Sequence, residues 1–268
     1  MLKKPVAFIL TSSNQGTFIV NRNDYRIVGD GGFGVGYQLL NSSSFDQSEC
    51  DFAKLLLEQR REAFGDGVVV LDCGANIGVF TVDWAHAMTG WGSVISFEAQ
   101  ERVFYALAGN ITLNNCFNAR AVFSAIGATV GSIKIPQPNY LLPSSFGSLE
   151  IRQTHQTEFI GQEIDYTEAA MVQIPMVSID SLLLNRVDLI KLDIEGMEMD
   201  ALEGASKTLE SHKPTLIIET LKSDESAIRA FLAERDYHVF PHGTMNILAI
   251  HESDKTWEKI VINDPPVK

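Results

Sequence analysis

The sequence predicts an α/β protein built on one open sheet with parallel strands in its centre. Two observations carry that expectation. Short apolar runs rich in β-branched residues alternate with segments of helical period from residue 65 onward, and four of these runs end in a carboxylate: Asp72, Glu98, Asp193 and Glu219. Strand–helix alternation of this kind builds parallel sheets flanked by helices, and ligands of such sheets bind beyond the carboxyl ends of the strands. Four acids gathered on one edge fit a cationic ligand, a metal ion, or both.

The strongest single stretch is Val68-Val69-Val70-Leu71-Asp72-Cys73-Gly74-Ala75-Asn76-Ile77-Gly78. It reads as buried strand, tight turn and helix start. The spacing Asp-x-Gly-x-x-x-Gly departs from the dinucleotide fingerprint Gly-x-Gly-x-x-Gly, whose second and third glycines are replaced by Asn76 and Val79. A pyrophosphate needs close backbone approach at those places. A carboxylate at Asp72 suits a ligand with an ammonium group and no phosphate, which is the description of S-adenosylmethionine. The competing expectation is a plain strand-to-helix connection, with Asp72 as a helix cap.

Composition narrows the function classes. A chain of 268 residues buries a sizeable core, and its 21 Lys+Arg against 34 Asp+Glu leave a formal charge of −13. That balance disfavours a surface that tracks nucleic-acid phosphates or anionic lipid. No run of apolar residues is long enough to span a membrane. Met1-Leu2-Lys3-Lys4 and the apolar residues 6–10 only faintly imitate a signal peptide. Cys50, Cys73 and Cys116 are widely spaced, without metal-ligand pairing, and a reducing cytoplasm is the expected setting.

In chain order, residues 1–64 read as an appendage of hairpin, loop and helix, and residues 65–262 as the main domain. Phe18 to Val20 and Tyr25 to Val28 are strand candidates around Asn21-Arg22-Asn23-Asp24. The glycine-dense stretch from Gly29 to Gly36 lacks strand-to-helix context and a P-loop lysine, so it is expected as a flexible loop near the site entrance. Ser48 is placed as the cap of a helix running to about Phe64. After the central turn come a helix from Gly78, a strand from Ser93 to Glu98, and a helix with Val103, Leu107 and Ile111 at four-residue spacing. The third strand covers Ala119 to Ser124. Residues 136–172 lack any sustained period, and read equally as a substrate lid or as a solvated excursion. The fourth strand ends in Asp193-Ile194-Glu195-Gly196 and the fifth in Glu219; Ser223 is expected to cap the next helix. Two antiparallel strands, joined around Pro241-His242-Gly243, finish the sheet.

Glu98 stands at the strand end that follows the glycine turn, twenty residues after Gly78, where an acid can accept from both ribose hydroxyls. Asp193 and Glu195 are the candidates for the proton transfer that an alcohol acceptor requires, with Glu219 and His242 behind them. For Glu195 a helix-terminus role stays open, and for His242 a plain loop histidine is the stronger expectation.

Asp72-Cys73-Gly74-Ala75-Asn76-Ile77-Gly78 resembles motif I of the FkbM-type S-adenosylmethionine-dependent methyltransferases. Phe97-Glu98-Ala99 with Leu107, Asn110 and Asn114 is similar to the segment after that family's second strand. Val177-Ser178-Ile179-Asp180, Lys191-Leu192-Asp193-Ile194-Glu195-Gly196 with Glu198, and Leu202-Glu203-Gly204-Ala205 resemble its later motifs. The likeness covers residues 65–250 and omits the 136–172 insertion. It implies a class I methyltransferase fold, Rossmann-like, with a seven-stranded mostly parallel sheet. It also implies O-methylation of a sugar, glycolipid or secondary metabolite. By the same resemblance Gly74, Ala75, Asn76 and Gly78 form the methionine-side turn, Glu98 binds ribose, and Ser124 and Ala125 lie near adenine. Asp193 lies near the amino group and the acceptor. A divalent metal is admitted but assigned no ligands. The alternatives are an NAD-dependent oxidoreductase on a related fold and a non-catalytic module that retains the cofactor pocket.

Overall fold

The computed structural model describes residues 6–29 and 31–256. Met1 to Lys4, Asp30 and the last residues of the expected 65–262 domain therefore lie outside the described residues. The chain opens with two antiparallel hairpins: β1 (Phe8–Ser13) with β2 (Gly16–Asn21), and β3 (Arg26–Val28) with β4 (Gly31–Phe33). The expected pairing of residues 18–20 with 25–28 is thus replaced by two separate hairpins. Helices α1 (Val35–Ser42) and α2 (Gln47–Phe64) follow. Ser48 lies inside α2, not at its cap; Asp46 holds that place, with a left-handed φ of 39° and no side-chain capping bond.

The main sheet then forms from β5 (Val68–Cys73), β6 (Gly92–Glu98) and β7 (Ala119–Phe123), with α3 (Val79–Ala87) and α4 (Glu101–Leu113) between them. A side sheet of β8 (Ala125–Ile126), β9 (Gly131–Ile135) and β10 (Val172–Val177) brackets the 136–172 insertion, with β9 paired to the strand at the insertion's far end. Strand β11 (Leu189–Leu192), helices α5 (Glu198–Glu203) and α6 (Ser206–His212), strand β12 (Thr215–Glu219), helix α7 (Glu225–Ala233), and strands β13 (Tyr237–His242) and β14 (Asn246–His251) complete the chain. Asp224, not Ser223, caps α7 by accepting from the Ala227 N–H at 3.1 Å.

The seven strands of the main sheet lie in the order β13-β14-β12-β11-β5-β6-β7. The five central and leading strands are parallel, and β14 runs antiparallel to both of its neighbours. Counted by core strand, that order is 3-2-1-4-5-7-6. The chain leaves β5 toward one edge and β11 toward the other, so the switch point lies between these two strands. Strand parity sorts the core into two layers. Val68 and Val70 face a cluster shared with α2, α3 and α4, whereas Leu71 and Cys73 face the cluster of α5, α6 and α7. Among the described residues no helix is long and apolar enough to cross a membrane.

The segment read as an appendage shares this core. Phe18, Val20, Leu39, Ala53 and Leu57 belong to the same buried cluster as Val70 and Trp84. Polar groups fix the register of that contact. Asn110 Oδ1 accepts from the Ile19 N–H at 2.6 Å and Asn114 Oδ1 from the Thr17 N–H at 2.9 Å. Their amides return bonds to the Ile19 and Thr17 carbonyls. Two side chains one helical turn apart thereby complete the free edge of β2, as a neighbouring strand would.

Asn110 also donates to the Ile77 carbonyl at 2.8 Å, and so joins the hairpin to the glycine turn. Its truncation leaves buried backbone groups unpaired on both sides. Asn110→Ala is expected to lower unfolding stability by about 3 kcal/mol in urea titrations. A loss under about 0.5 kcal/mol, typical of an ordinary surface change, would mean that it is no anchor.

Candidate active site

The switch point opens into a cavity of about 480 Å³. Its floor is the turn after β5, where Gly74 adopts φ 82° and Asn76 φ 51°. A Cβ built on Gly74 would lie 1.7 Å from the Asp193 carbonyl oxygen. The two strand ends are thus in direct backbone contact, tied also by the Asp193 N–H donating to the Cys73 carbonyl at 3.1 Å. Any side chain at Gly74 would therefore meet the protein's own backbone first.

Glu98 lines one end of this cavity and is 6 % exposed. Its Oε2 accepts from the Asn76 N–H at 3.0 Å and its Oε1 from the Gln100 N–H at 2.7 Å. Each oxygen keeps a further lone pair for a ligand hydroxyl. Burial pushes its carboxyl up to about 7, against the opposing pull of the Gln100 and Asn76 amides. Ser124 and Ala125 stand beside it on the cavity wall, and the Ser124 hydroxyl donates to the Ala125 carbonyl at 2.8 Å. Ile126, Ile135, Leu149, Ile151 and Met197 make that end apolar.

The other end gathers Asp193, Glu195 and Glu219, which can bring one carboxylate oxygen each to within 4.8 Å of one another. Two lysines stand among them. Lys191 Nζ lies 2.7 Å from Asp193 Oδ2, and Lys222 Nζ lies 2.6 Å from Glu195 Oε2. Burial raises the Glu195 carboxyl well above the usual range; Asp193 and Glu219 add to that effect and Lys222 opposes it. Glu219 is pushed up to about 8, by burial first and then by Asp193. Glu195 sits at φ 56°, a left-handed conformation that a side chain adopts at a cost of order 1–3 kcal/mol. The turn into Gly196, with φ 95°, sets that geometry and aims the carboxylate at Lys222.

Three expected site residues lie elsewhere. Asp72 does not line the cavity. It has the parity of Val68 and Val70, so its side chain points under α3, where Thr81 Oγ1 donates to it at 2.5 Å. It pairs in register with Lys191, whose buried ammonium is held charged by Asp193 and Asp72 despite its burial. Gly78 is also absent from the wall: a Cβ there would meet Leu107 at 2.5 Å, so this glycine serves the packing of α3 on α4. His242 ends β13 outside the cavity and stacks on Phe52 with ring centroids 4.4 Å apart. Gly74, Ala75, Asn76, Glu98, Ser124, Ala125, Asp193 and Glu195 all line the cavity, as does Glu219.

The sequence reading gave no role to Lys191, Lys222 or the two segments that roof the cavity. A lone lysine inside the apolar run of β11 was a legible signal; the rest depends on contacts far apart in sequence. The stretch from Gly29 to Gly36, expected as a loop without strand-to-helix context, holds β4 and the start of α1, and Phe33, Gly34 and Val35 reach the cavity. The 136–172 insertion reaches it through Ser145, Gly147, Ser148, Leu149, Ile151 and Glu158. Buried Asp24 holds the two segments together, accepting from the Gly36 N–H at 2.8 Å and the Phe146 N–H at 3.0 Å. An ion-pair chain crosses the same roof: Arg26 binds Glu158, Glu158 lies 3.3 Å from Lys222, and Lys222 reaches Glu195. Lys222 also donates to the Ser148 carbonyl at 2.8 Å.

The seven-stranded order with its antiparallel β14 and its cleft at the β5/β11 switch point defines a Rossmann-like class I methyltransferase fold. Residues 72–239 match the family model described as the methyltransferase FkbM domain, and the chain belongs to that family. Among curated relatives, "Methyltransferase 1" of Beauveria bassiana is 28 % identical over 150 residues, covering 53 % of this chain and 59 % of its own length. "Methyltransferase sdnD" of Sordaria araneosa is 20 % identical over 191 residues, covering 63 % and 73 %. This chain thus spans less than two thirds of the first of them. A solved methyltransferase FkbM from Methylobacillus flagellatus is 21 % identical with a TM-score of 0.45, covering 69 % of this chain and 43 % of that one. A magnesium protoporphyrin IX methyltransferase from Synechocystis, solved with bound SAM, is 12 % identical with a TM-score of 0.44, covering 85 % and 88 %.

Two consequences are measurable. Gly74→Ala must separate the β5 turn from Asp193, at a position whose φ also disfavours a side chain. It should lower the melting temperature by about 5 °C or more, and an unchanged melting point would contradict the backbone contact. For Glu98 the folded pKa lies above the unfolded one. Its contribution to stability is therefore present below the unfolded value of 4.5 and lost as pH rises through about 7. Between pH 5 and pH 8 the wild type should lose up to about 3 kcal/mol that Glu98→Gln does not lose. Parallel stability profiles for the two proteins would show that Glu98 titrates normally.

Proposed function

We propose that this protein is an S-adenosylmethionine-dependent methyltransferase that O-methylates a hydroxyl of a small-molecule or glycan acceptor. The observation that carries the reading is the division of one cavity. A buried acid with spare lone pairs stands in an apolar slot at one end, and a cluster of raised carboxyls stands at the other. The residues present fit the cofactor. Glu98 would accept from the ribose hydroxyls, and Ser124, Ala125 and the apolar side chains beside them would enclose the adenine. Gly74, Ala75 and Asn76 would border the methionine end, with Asp193 facing its ammonium. Asp72 and Gly78 support this arrangement from beneath it, Asp72 by holding Thr81 and the charge of Lys191. Residues 65–262 form the catalytic unit in this reading, and the N-terminal segment adds Val28, Phe33 and Val35 to the cavity wall. A cytoplasmic setting accords with three cysteines that are all free thiols.

S-adenosylmethionine, when bound, supplies a methyl group already activated by its sulfonium. The chain's own residues have two tasks. They hold an acceptor oxygen in line, which alone provides much of the rate, and they take its proton. Glu195 is the proposed base: burial makes its carboxylate more basic than an exposed glutamate, and the Lys222 ammonium fixes its direction. Asp193 and Glu219 surround it with negative charge, which favours its uptake of the proton. The three carboxylates have a spacing that would admit a divalent ion. Lys191 and Lys222 already stand against two of them, so a metal would have to displace both ammonium groups. No step is assigned to one.

The test combines binding and turnover. Calorimetry should detect S-adenosylhomocysteine and no NAD; the reverse would favour the oxidoreductase. Glu195→Gln should keep that affinity within about twofold and lower methyl transfer to a verified acceptor about 100-fold. Wild-type turnover in Glu195→Gln would leave positioning alone as the mechanism. Activity should survive EDTA, and its loss, restored by magnesium, would assign the three carboxylates to a metal.

A further inference from the structure

The acceptor end of the cavity has a composition that narrows what it takes. Four large apolar side chains on its wall stay open to solvent: Val28 (47 % exposed), Phe33 (57 %), Leu221 (60 %) and Met245 (47 %). They come from β3, β4, the segment after β12 and the turn before β14. The Thr220 N–H donates to the Met245 carbonyl at 2.8 Å, which sets the last two segments side by side. Exposed apolar side chains scattered singly need no explanation, but several on the wall of one cavity mark a binding surface.

The charges inside point the same way. The described residues that line the cavity include the cations Arg26, Lys191 and Lys222. Each is already paired: Arg26 with Glu158, Lys191 with Asp193, and Lys222 with both Glu195 and Glu158. Asp46 and Glu219 line the same cavity as further acidic side chains. A phosphate or carboxylate on the acceptor would meet an excess of acids and would have to break an existing pair to find a cation. A bare sugar would leave its hydroxyls against an apolar rim, at the cost of their hydration.

We infer that the acceptor is an uncharged lipophilic alcohol or phenol. Its hydroxyl enters toward Glu195, and its apolar body lies on Val28, Phe33, Leu221 and Met245. The inference rests on the methyltransferase reading and selects among the acceptors that reading allows. The rim belongs to the N-terminal hairpins and to the sheet's far end, so acceptor choice is separate in sequence from the turn proposed to hold the cofactor.

The test uses three probes at saturating S-adenosylhomocysteine, with affinity read by calorimetry: 2-naphthol, 2-naphthyl phosphate and methyl β-glucoside. The first two share an apolar body and differ in charge; the third offers hydroxyls without that body. 2-Naphthol is expected to bind at least about tenfold more tightly than either of the others. The double variant Phe33→Ser/Leu221→Ser changes only side chains that are more than half exposed, so the fold should persist. It should weaken 2-naphthol about tenfold and leave the affinity for S-adenosylhomocysteine unchanged. Equal or tighter binding of the phosphate or the glucoside, no binding of 2-naphthol, or an unaltered affinity in the double variant would each overturn the inference while the methyltransferase reading stands. Failure of S-adenosylhomocysteine itself to bind would overturn both.

Discussion

The backbone contact between the ends of β5 and β11 is the constraint on which the rest of the site depends. Gly74 lies against the Asp193 carbonyl closely enough to exclude even a methyl group. This contact makes the switch point narrow on its floor and lets it open upward, where each strand contributes its next residues. Asn76 turns from one side to give its N–H to Glu98, and Glu195 turns from the other to meet Lys222. Both have positive φ, a conformation that the surrounding packing must impose on a residue other than glycine. A looser floor would let both turns relax, and the two carboxylates at the ends of the cavity would lose their fixed separation.

Electrostatics follow from the same geometry. Strand parity places Asp72, Lys191 and Asp193 on one face, in and beyond two neighbouring strands. The buried ammonium of Lys191 thus lies between acids, so its charge is compensated. Glu195, two residues beyond Asp193, has Lys222 as its counter-ion. Because Lys222 also holds Ser148 and Glu158, the charge of Glu195 and the position of the 136–172 insertion are joined through one side chain. Asp24 provides a second joint between the insertion and the N-terminal glycine segment. Its carboxyl is raised to about 6 by burial, with the Gly36 and Phe146 amides opposing that rise. The cavity roof is therefore made by two segments held together by buried Asp24 and by the Arg26–Glu158–Lys222 ion pairs.

Much of this was legible residue by residue. The apolar runs located all seven main strands: the five parallel ones because a strand buried on both faces has few ways to be written, and the last two because a short turn joins them as an antiparallel pair. The acids at the strand ends marked the sheet edge correctly, and Glu98 and Asp193 stand at the cavity where that argument put them. Asp72 shows its limit. Position at a strand end says which edge a residue occupies, but the side chain's face depends on parity against helices that pack later. Gly78 shows a related limit: a glycine that admits a ligand and one that admits a neighbouring leucine look alike in sequence. At the two helix starts residue type does not fix the boundary: α2 begins at Gln47, the residue before Ser48, after a left-handed Asp46, and α7 is capped by Asp224, the residue after Ser223.

What the sequence by itself determined is the order of strands and helices and the chemistry of the sheet edge, because hydrophobic period and turn residues act over a few positions. What only the tertiary structure decided is the enclosure of the site. Arg26, Glu158 and Lys222 are far apart along the chain and form one ion-pair chain across its roof. Val28 and Leu221, nearly two hundred residues apart, share one cavity wall. No local pattern encodes such meetings, since they follow from how the hairpins and the insertion fall on the finished sheet.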